Sequence, residues 1–128
     1  MTAPRSFQIQ PEDVESGVRI LAVQGEADRF GTDAITAAVQ EARDDGRDVV
    51  IDLNETTYID SSMLAALVSA SEHGRQTSQP LVILCEASRL RRSLELKGLQ
   101  SILELAYSRD HAIELLAAAR NRPSPEPS

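Results

Sequence analysis

The sequence predicts an α/β fold, a single domain with a mixed, mostly parallel sheet of about five strands and about four helices. Short apolar runs alternate along the chain with segments whose apolar residues recur at helical spacing. The resulting element order is β-β-α-β-α-β-α-β-α, and strands joined through helices pair in parallel by right-handed crossovers. Glycine or proline marks several of the boundaries between these segments.

The first two strands are predicted to form a hairpin. Phe7 and Ile9 alternate with polar residues, which is typical of a half-exposed edge strand. Residues 18–23 form the second strand, which the chain reaches through a turn at Glu15–Gly17. Because hairpin strands are antiparallel, this pair makes the sheet mixed.

The middle of the chain alternates helix and strand. A helix is predicted over Thr32–Asp44, with Gly46 as its stop signal. Residues 49–53 are almost continuously apolar, as in a strand that is covered on both faces. The next helix is predicted over residues 61–73 and is expected to end at Gly74.

The last third repeats this alternation. A buried strand is predicted over residues 81–85, with Pro80 at its start, where a missing N–H does least harm. A helix over residues 88–97 is expected to end at Gly98, and a short strand over 102–105 follows. The final helix is amphipathic, and its apolar positions are Ala112, Ile113, Leu116 and Ala119.

The length of 128 residues predicts one domain, over residues 7–119. Residues 1–6 are expected to be a flexible N-terminus, and residues 120–128 a disordered tail rich in proline and serine. The sequence has neither the apolar stretch of a signal peptide nor a run long enough for a membrane span. We therefore expect a cytoplasmic protein without membrane insertion.

Composition argues against several classes of function. The formal net charge is −7 and aromatic residues make up only 3%, which disfavours direct binding to nucleic acid. Cys85 lies in an apolar run and is predicted to be a core residue, and no cluster with metal-ligand spacing includes His73 or His111. No phosphate-binding loop or catalytic set is present, so we expect no enzyme activity, no catalytic residue, no metal and no cofactor. Four basic residues lie close together in the sequence and form either a solvated surface or a contact for an acidic protein: Arg89, Arg91, Arg92 and Lys97.

The most informative segment follows the buried strand over residues 49–53. Asp60 is a good N-cap, and Ser61 and Ser62 then occupy the first turn of a helix. Loops at the carboxyl ends of strands in an α/β sheet are where ligands and partners usually bind. The segment is therefore either a helix cap only or a cap that presents a serine for phosphorylation.

Phosphorylation at this position would leave the fold intact. It adds nearly two negative charges, which a helix N-terminus accommodates with a gain of about 0.3–1 kcal/mol. A phosphate forced against an acidic or apolar partner surface would instead cost several kcal/mol. A modified Ser61 would thus change binding rather than folding.

Small residues follow this segment on the same helix. Leu64, Leu67, Val68 and Ser71 can face the sheet. The helix also carries four small residues, Ala65, Ala66, Ser69 and Ala70. They allow either the close approach of another chain or tight packing on the sheet.

Several segments between Val18 and Leu116 match a known family: Gly25-Glu26-Ala27-Asp28, Val50-Ile51-Asp52-Leu53, Tyr58-Ile59-Asp60-Ser61-Ser62, Leu81-Val82-Ile83-Leu84-Cys85, and the pattern Leu90, Leu94, Gly98-Leu99. On these segments the chain resembles the STAS domain and, within it, the bacterial anti-sigma factor antagonists. The resemblance implies a STAS-like fold. It also implies a cytoplasmic regulator of transcription that works by partner switching.

The resemblance also implies a site and a set of partners. The serine directly after the aspartate is the family's phosphorylation site and corresponds to Ser61. The unphosphorylated form would bind an anti-sigma factor that is also a serine kinase, and a PP2C-type phosphatase would reverse the modification. Partner contacts are expected at this surface, from Asp28, Asp60, Ser62, Met63 and Leu64.

The chain departs from the family pattern at one position. The family usually has glycine after Asp-Ser-Ser or Asp-Ser-Thr, whereas this chain has Met63. We expect the methionine to cover a spot that a partner backbone would otherwise approach. The departure favours either a different kinase or a STAS protein that is never phosphorylated.

Two other functions remain open. A STAS scaffold in a signalling assembly or a transport-associated complex would tolerate Ser61→Ala, because the Asp60 cap remains. A carrier of a small ligand would require a cavity between sheet and helices, and the many Ala and Leu residues favour a filled core instead.

Overall fold

A computed structural model describes residues 7–86 and 89–121 of the chain, with the side chain of Ser16 excepted. The flexible N-terminus predicted for residues 1–6 lies outside these residues, as does the predicted tail from residue 122 onward. Arg120 and Asn121 are described, and the last helix includes Arg120, one residue beyond the predicted end of the domain.

The described residues form a five-stranded sheet with the order β1-β2-β3-β4-β5. β1 is antiparallel to β2, and the remaining neighbours are parallel, so the predicted fold class and element order are confirmed. The strands are β1 (Gln8–Val14), β2 (Val18–Ala27), β3 (Asp48–Ile59), β4 (Leu81–Leu84) and β5 (Leu105–Ala106). The α-helices are α1 (Thr32–Asp44), α2 (Ser61–Thr77), α3 (Arg89–Leu96) and α4 (Arg109–Arg120).

The two faces of the sheet carry separate apolar cores. Alternate residues of each strand point to opposite faces, so Ile51 packs with the residues of α1, α2 and α3, while its neighbour Val50 packs with α4. Burial of both neighbours explains why the sequence of β3 is apolar without alternation. The three helices on one face and the single helix on the other hold the strands as one layer.

β3 is longer than the sequence predicts. Its apolar run ends at Leu53, but the strand continues to Ile59 by pairing with β2, whose last residue, Ala27, lies opposite Ile59. The buried hydroxyl of Thr56 donates to the carbonyl of Val23 at 2.8 Å, which satisfies a polar side chain within this extension. β4 pairs with β3 only up to Asp52. β2 and β3 therefore extend past the end of β4, and α2 begins at the end of this two-stranded extension.

Gly74 does not end α2, and that prediction is wrong. The helix runs to Thr77 and is followed by Ser78 in the left-handed conformation, with φ of 59°. A Cβ at position 74 would collide with the carbonyl oxygen of Gln79 and with the guanidinium of Arg43. Arg43 is buried and donates to the carbonyls of Ala70 at 2.9 Å and of Gln79 at 3.3 Å. The glycine therefore serves close packing between α1 and the end of α2.

The predicted strand over residues 102–105 is displaced along the chain. Gly98 adopts a left-handed conformation, with φ of 73°, and leads into a 3-10 turn at Leu99–Ser101. The turn also holds the first two residues of the predicted strand, because the N–H groups of Ile102 and Leu103 both donate to the carbonyl of Leu99, at 3.0 and 2.7 Å. Only Leu105 and Ala106 pair with β4.

Arg91 does not belong to the exposed basic set. Its buried guanidinium donates to the carbonyl of Cys85 and, at 3.0 Å, to that of Ala106. The guanidinium carbon also lies 3.5 Å from the ring centroid of Tyr107. Arg91 therefore joins the ends of β4 and β5 instead of facing a partner.

We predict that Gly74→Ala destabilises the protein. At an exposed helical position this change would stabilise by about 1 kcal/mol, because alanine has the higher helix propensity. Here the methyl group has no room, and we expect a loss of about 1–3 kcal/mol in the free energy of unfolding, measured by urea denaturation.

Ser69→Ala, at an exposed position of the same helix, is the matched control and should change stability by less than about 0.5 kcal/mol. A Gly74→Ala protein that is as stable as the wild type would show that the contact with Gln79 is not restrictive.

Candidate functional site

The candidate site lies where β2 and β3 end side by side. Because the two strands are parallel and Ala27 lies opposite Ile59, the residues that follow each strand emerge at the same edge of the sheet. The N–H of Asp60 donates to the carbonyl of Ala27 at 3.1 Å, which extends the strand pairing by one hydrogen bond. The loop after β2 and the start of α2 are thereby held together.

Asp60 uses both of its carboxylate oxygens. Oδ1 accepts from the N–H of Met63 at 2.9 Å, which confirms the predicted N-cap of α2. Oδ2 accepts from the N–H of Arg29 at 2.9 Å, across 31 residues of sequence. One side chain therefore fixes both the first turn of the helix and the neighbouring loop.

Asp28 caps the turn that follows β2. Its Oδ1 accepts from the N–H of Phe30 at 3.0 Å, at the start of a 3-10 turn over Arg29–Gly31. A Cβ at Gly31 would lie 2.9 Å from the ring of Phe7, so this ring packs directly against the backbone of the turn. Asp28 thus shapes the loop that Asp60 holds in place.

Ser61 and Ser62 are exposed in the first turn of α2. Within residues 7–86 and 89–121, the N–H groups of these serines have no acceptor, as is usual for the first positions of a helix. The structure therefore brings Asp28, Asp60, Ser61 and Ser62 to one edge of the sheet. Neither serine hydroxyl is used to hold that edge together.

Met63 and Leu64 point away from this surface. The Met63 side chain is only 2% exposed and Leu64 is also buried, both in the apolar core between α2 and the sheet. The expectation that Met63 covers a spot on the docking surface is wrong, because the third residue of this helix faces the strands. Met63 instead packs in the core beneath the first turn of α2.

Three exposed side chains at the ends of β2 and β3 were missed by sequence reasoning. Phe30 is 80% exposed and Tyr58 is 52% exposed, although the chain has only two Phe and two Tyr. The guanidinium carbon of Arg29 lies 4.9 Å from the centroid of the Phe30 ring. An aromatic residue directly after Asp28-Arg29, outside any apolar pattern, was the available signal.

Other predicted features lie apart from this site. No hydrogen bond or ion pair in the described part of the chain joins Arg89, Arg92 or Lys97 to the first turn of α2. Three of the small residues of α2, namely Ala66, Ser69 and Ala70, line a groove against α1, where Ala66 and Ala70 are half-buried. They therefore serve helix packing at least in part.

No helix among the described residues is both long and apolar enough to cross a membrane.

Known proteins share both the sequence pattern and the fold. A family model described as "Mlab, STAS domain" matches residues 12–105. An anti-sigma-B factor antagonist from Listeria monocytogenes serovar 1/2a is 33% identical over 84 residues, which are 65% of this chain and 74% of that protein.

Two solved structures extend the comparison of the fold. An anti-sigma factor antagonist from Mycobacterium paratuberculosis gives a TM-score of 0.76 at 24% identity, covering 91% of this chain and 99% of that one. A sulfate transporter family protein from Wolinella succinogenes gives a TM-score of 0.68 at 16% identity, covering 87% and 93%. At these identities the structural likeness shows a common fold only.

We predict that Asp60→Ala destabilises the protein by more than the loss of an ordinary cap. Removing an N-cap side chain costs about 0.5–2 kcal/mol, and here the N–H of Arg29 loses its acceptor as well. In hydrogen exchange, the amides of Arg29 and Met63 should both exchange faster than in the wild type.

Ser108→Ala is the matched control, because Ser108 caps α4 through a single bond from the N–H of His111 at 3.0 Å. That variant should speed exchange at His111 and leave Arg29 unchanged. Unchanged protection of Arg29 in Asp60→Ala would contradict the bridging role.

Proposed function

This chain belongs to the STAS domain family, and from that premise we propose that it is an anti-sigma factor antagonist switched by phosphorylation of Ser61. The unphosphorylated form binds an anti-sigma factor that is also a serine kinase, and the sigma factor is thereby released. The kinase transfers the γ-phosphoryl group of ATP to the Ser61 oxygen, giving ADP and a proton, and a PP2C-type phosphatase hydrolyses the product. The role is regulatory, requires no catalysis by this chain and is exercised in the cytoplasm.

The exposed Ser61 hydroxyl on a rigid frame carries this proposal. Asp60 caps the helix and holds the neighbouring loop without help from that hydroxyl. A kinase can therefore modify the oxygen without breaking a contact on which the fold depends. The relation to an anti-sigma-B factor antagonist at 33% identity supports the same reading.

The electrostatics of the site favour a change in binding over a change in folding. The helix N-terminus stabilises a phosphate by about 0.3–1 kcal/mol, whereas the nearby carboxylates of Asp60 and Asp28 oppose it. These opposing contributions are small at an exposed site. Burying the same phosphate against a partner without a matching cation would cost several kcal/mol.

The proposed docking surface consists of Phe30, Tyr58, Ser61 and Ser62. Exposed aromatic side chains supply contact area at little cost in conformational entropy, and such residues dominate the binding energy at many interfaces. Asp28 and Asp60 contribute mainly by fixing the loop and helix that carry this surface. Met63 and Leu64 contribute only through the packing beneath it.

A STAS scaffold without phosphorylation is the second candidate. The observation that favours it is the cap itself, because Asp60 holds the helix and the neighbouring loop whether or not Ser61 is ever modified. In that case the same edge of the sheet would bind a partner constitutively, in a signalling assembly or a transport-associated complex. The two candidates differ in whether Ser61 is ever modified.

We predict opposite effects from two substitutions of Ser61. Ser61→Ala should bind the kinase partner about as tightly as the wild type but resist inactivation by ATP. Ser61→Asp should bind at least about 10-fold more weakly, because a carboxylate must then be desolvated at the interface. Calorimetry with the purified partner, before and after incubation with ATP, measures both effects.

Ser62→Ala is the control, and it should still be inactivated by ATP. An intact mass of the protein from its own cells locates the modification. Undiminished binding by Ser61→Asp would contradict the switch, and a Ser61 that is never phosphorylated would favour the scaffold.

We also predict that Phe30→Ala weakens partner binding by about 10-fold or more, as expected for an aromatic residue at the centre of an interface. Leu96→Ala is a matched control, because Leu96 and Phe30 are both 80% exposed and Leu96 lies in α3. Both variants should unfold at nearly the wild-type denaturant midpoint. Equal affinity of the two variants would exclude Phe30 from the docking surface.

A further inference from the structure

The backbone of Arg29 is held in place by a hydrogen bond, whereas its side chain is exposed to solvent. Its N–H is held by Asp60, the residue directly before Ser61, at 2.9 Å. Its side chain is exposed and its guanidinium lies over the ring of Phe30. A long cationic side chain is therefore anchored within one hydrogen bond of the residue that precedes the proposed phosphorylation site.

The guanidinium of Arg29 also has no carboxylate partner among the described residues. Most of the other described arginines do, and the pairs are Arg19 with Asp13 and Asp45, Arg47 with Asp13, Arg75 with Glu72, Arg91 with Glu95, Arg109 with Glu12, and Arg120 with Asp48. The carboxylates nearest to Arg29 in the site are those of Asp28 and Asp60. Both accept from backbone N–H groups instead.

A phosphate on Ser61 would add to the negative charge that already lies around this serine. A phosphoserine carries nearly two negative charges, and the carboxylates of Asp28 and Asp60 lie in the same two loops. The free N–H groups of the first helical turn contribute partial positive charge only. Arg29 and Met63 both donate a backbone N–H to Asp60, and of these two residues only Arg29 carries a full positive charge on its side chain.

We propose that Arg29 binds the phosphate of phosphorylated Ser61, and this inference rests on the proposed modification of that serine. In the unmodified protein the guanidinium stacks on Phe30. In the modified protein it leaves the ring and pairs with two phosphate oxygens, because a bidentate arginine–phosphate pair is stronger than a cation–π contact at an exposed site. Phosphorylation then has two effects on the docking surface, since it adds the phosphate at Ser61 and moves the Arg29 guanidinium off the exposed ring of Phe30.

The decisive measurement does not need the kinase. Phosphoserine is introduced at position 61 during translation, in the wild-type background and with Arg29→Gln. The pKa of the second phosphate ionisation, ordinarily about 6, is then measured by phosphorus NMR titration. A paired guanidinium favours the dianion, so this pKa should be lower in the wild type than in Arg29→Gln, by about half a unit.

Arg75→Gln is the matched control. It removes the same charge from α2 at a distance of roughly 21 Å along the helix axis, well beyond the screening length of about 10 Å. The phosphate pKa in this variant should equal that of the wild type. Arg29→Lys should give an intermediate value, because the charge remains but the bidentate geometry is lost.

The outcomes separate this inference from the proposed switch. Equal phosphate pKa values in the wild type and in Arg29→Gln would overturn the role of Arg29, whatever the kinase does. A lower wild-type value establishes the pairing even if no kinase is found to modify Ser61, and that second finding would overturn the switch alone.

Discussion

The carboxylate of Asp60 is the contact on which the arrangement of the site depends. It joins two backbone segments that are 31 residues apart in sequence and that emerge from neighbouring strands. The parallel register of β2 and β3 brings these segments together, and the two oxygens of one side chain then hold both. Because the hydrogen bonds run to backbone N–H groups, the geometry does not depend on which side chains the neighbouring loop carries.

Local sequence signals were sufficient for one half of this arrangement. Asp60 before two serines predicted a helix cap, and the alternation of apolar runs with helical spacing predicted the sheet and its crossovers. The second bond of Asp60 could not be predicted, because nothing in the sequence specifies which amide will lie opposite the second oxygen. The same applies to the extension of β3, which is stabilised by pairing with β2 and not by its own apolar pattern.

The errors at Gly74 and Met63 have a related cause. A glycine near the end of a helical pattern usually terminates the helix, but here it makes room for Gln79 and Arg43. The family motif predicts Met63 at the surface, whereas its position in the helix turns it toward the strands. In both cases the decisive contact comes from a part of the fold that is distant in sequence.

The division between a backbone-defined frame and outward side chains has a consequence for evolution. Arg29 and Phe30 contribute backbone atoms to the frame and no side-chain atoms, so their side chains are free to change without loss of the fold. Duplicated copies of such a gene can therefore diverge at these two positions while the serine and its cap stay constant. On the docking surface proposed above, copies that differ at these positions would bind different partners while they share one fold.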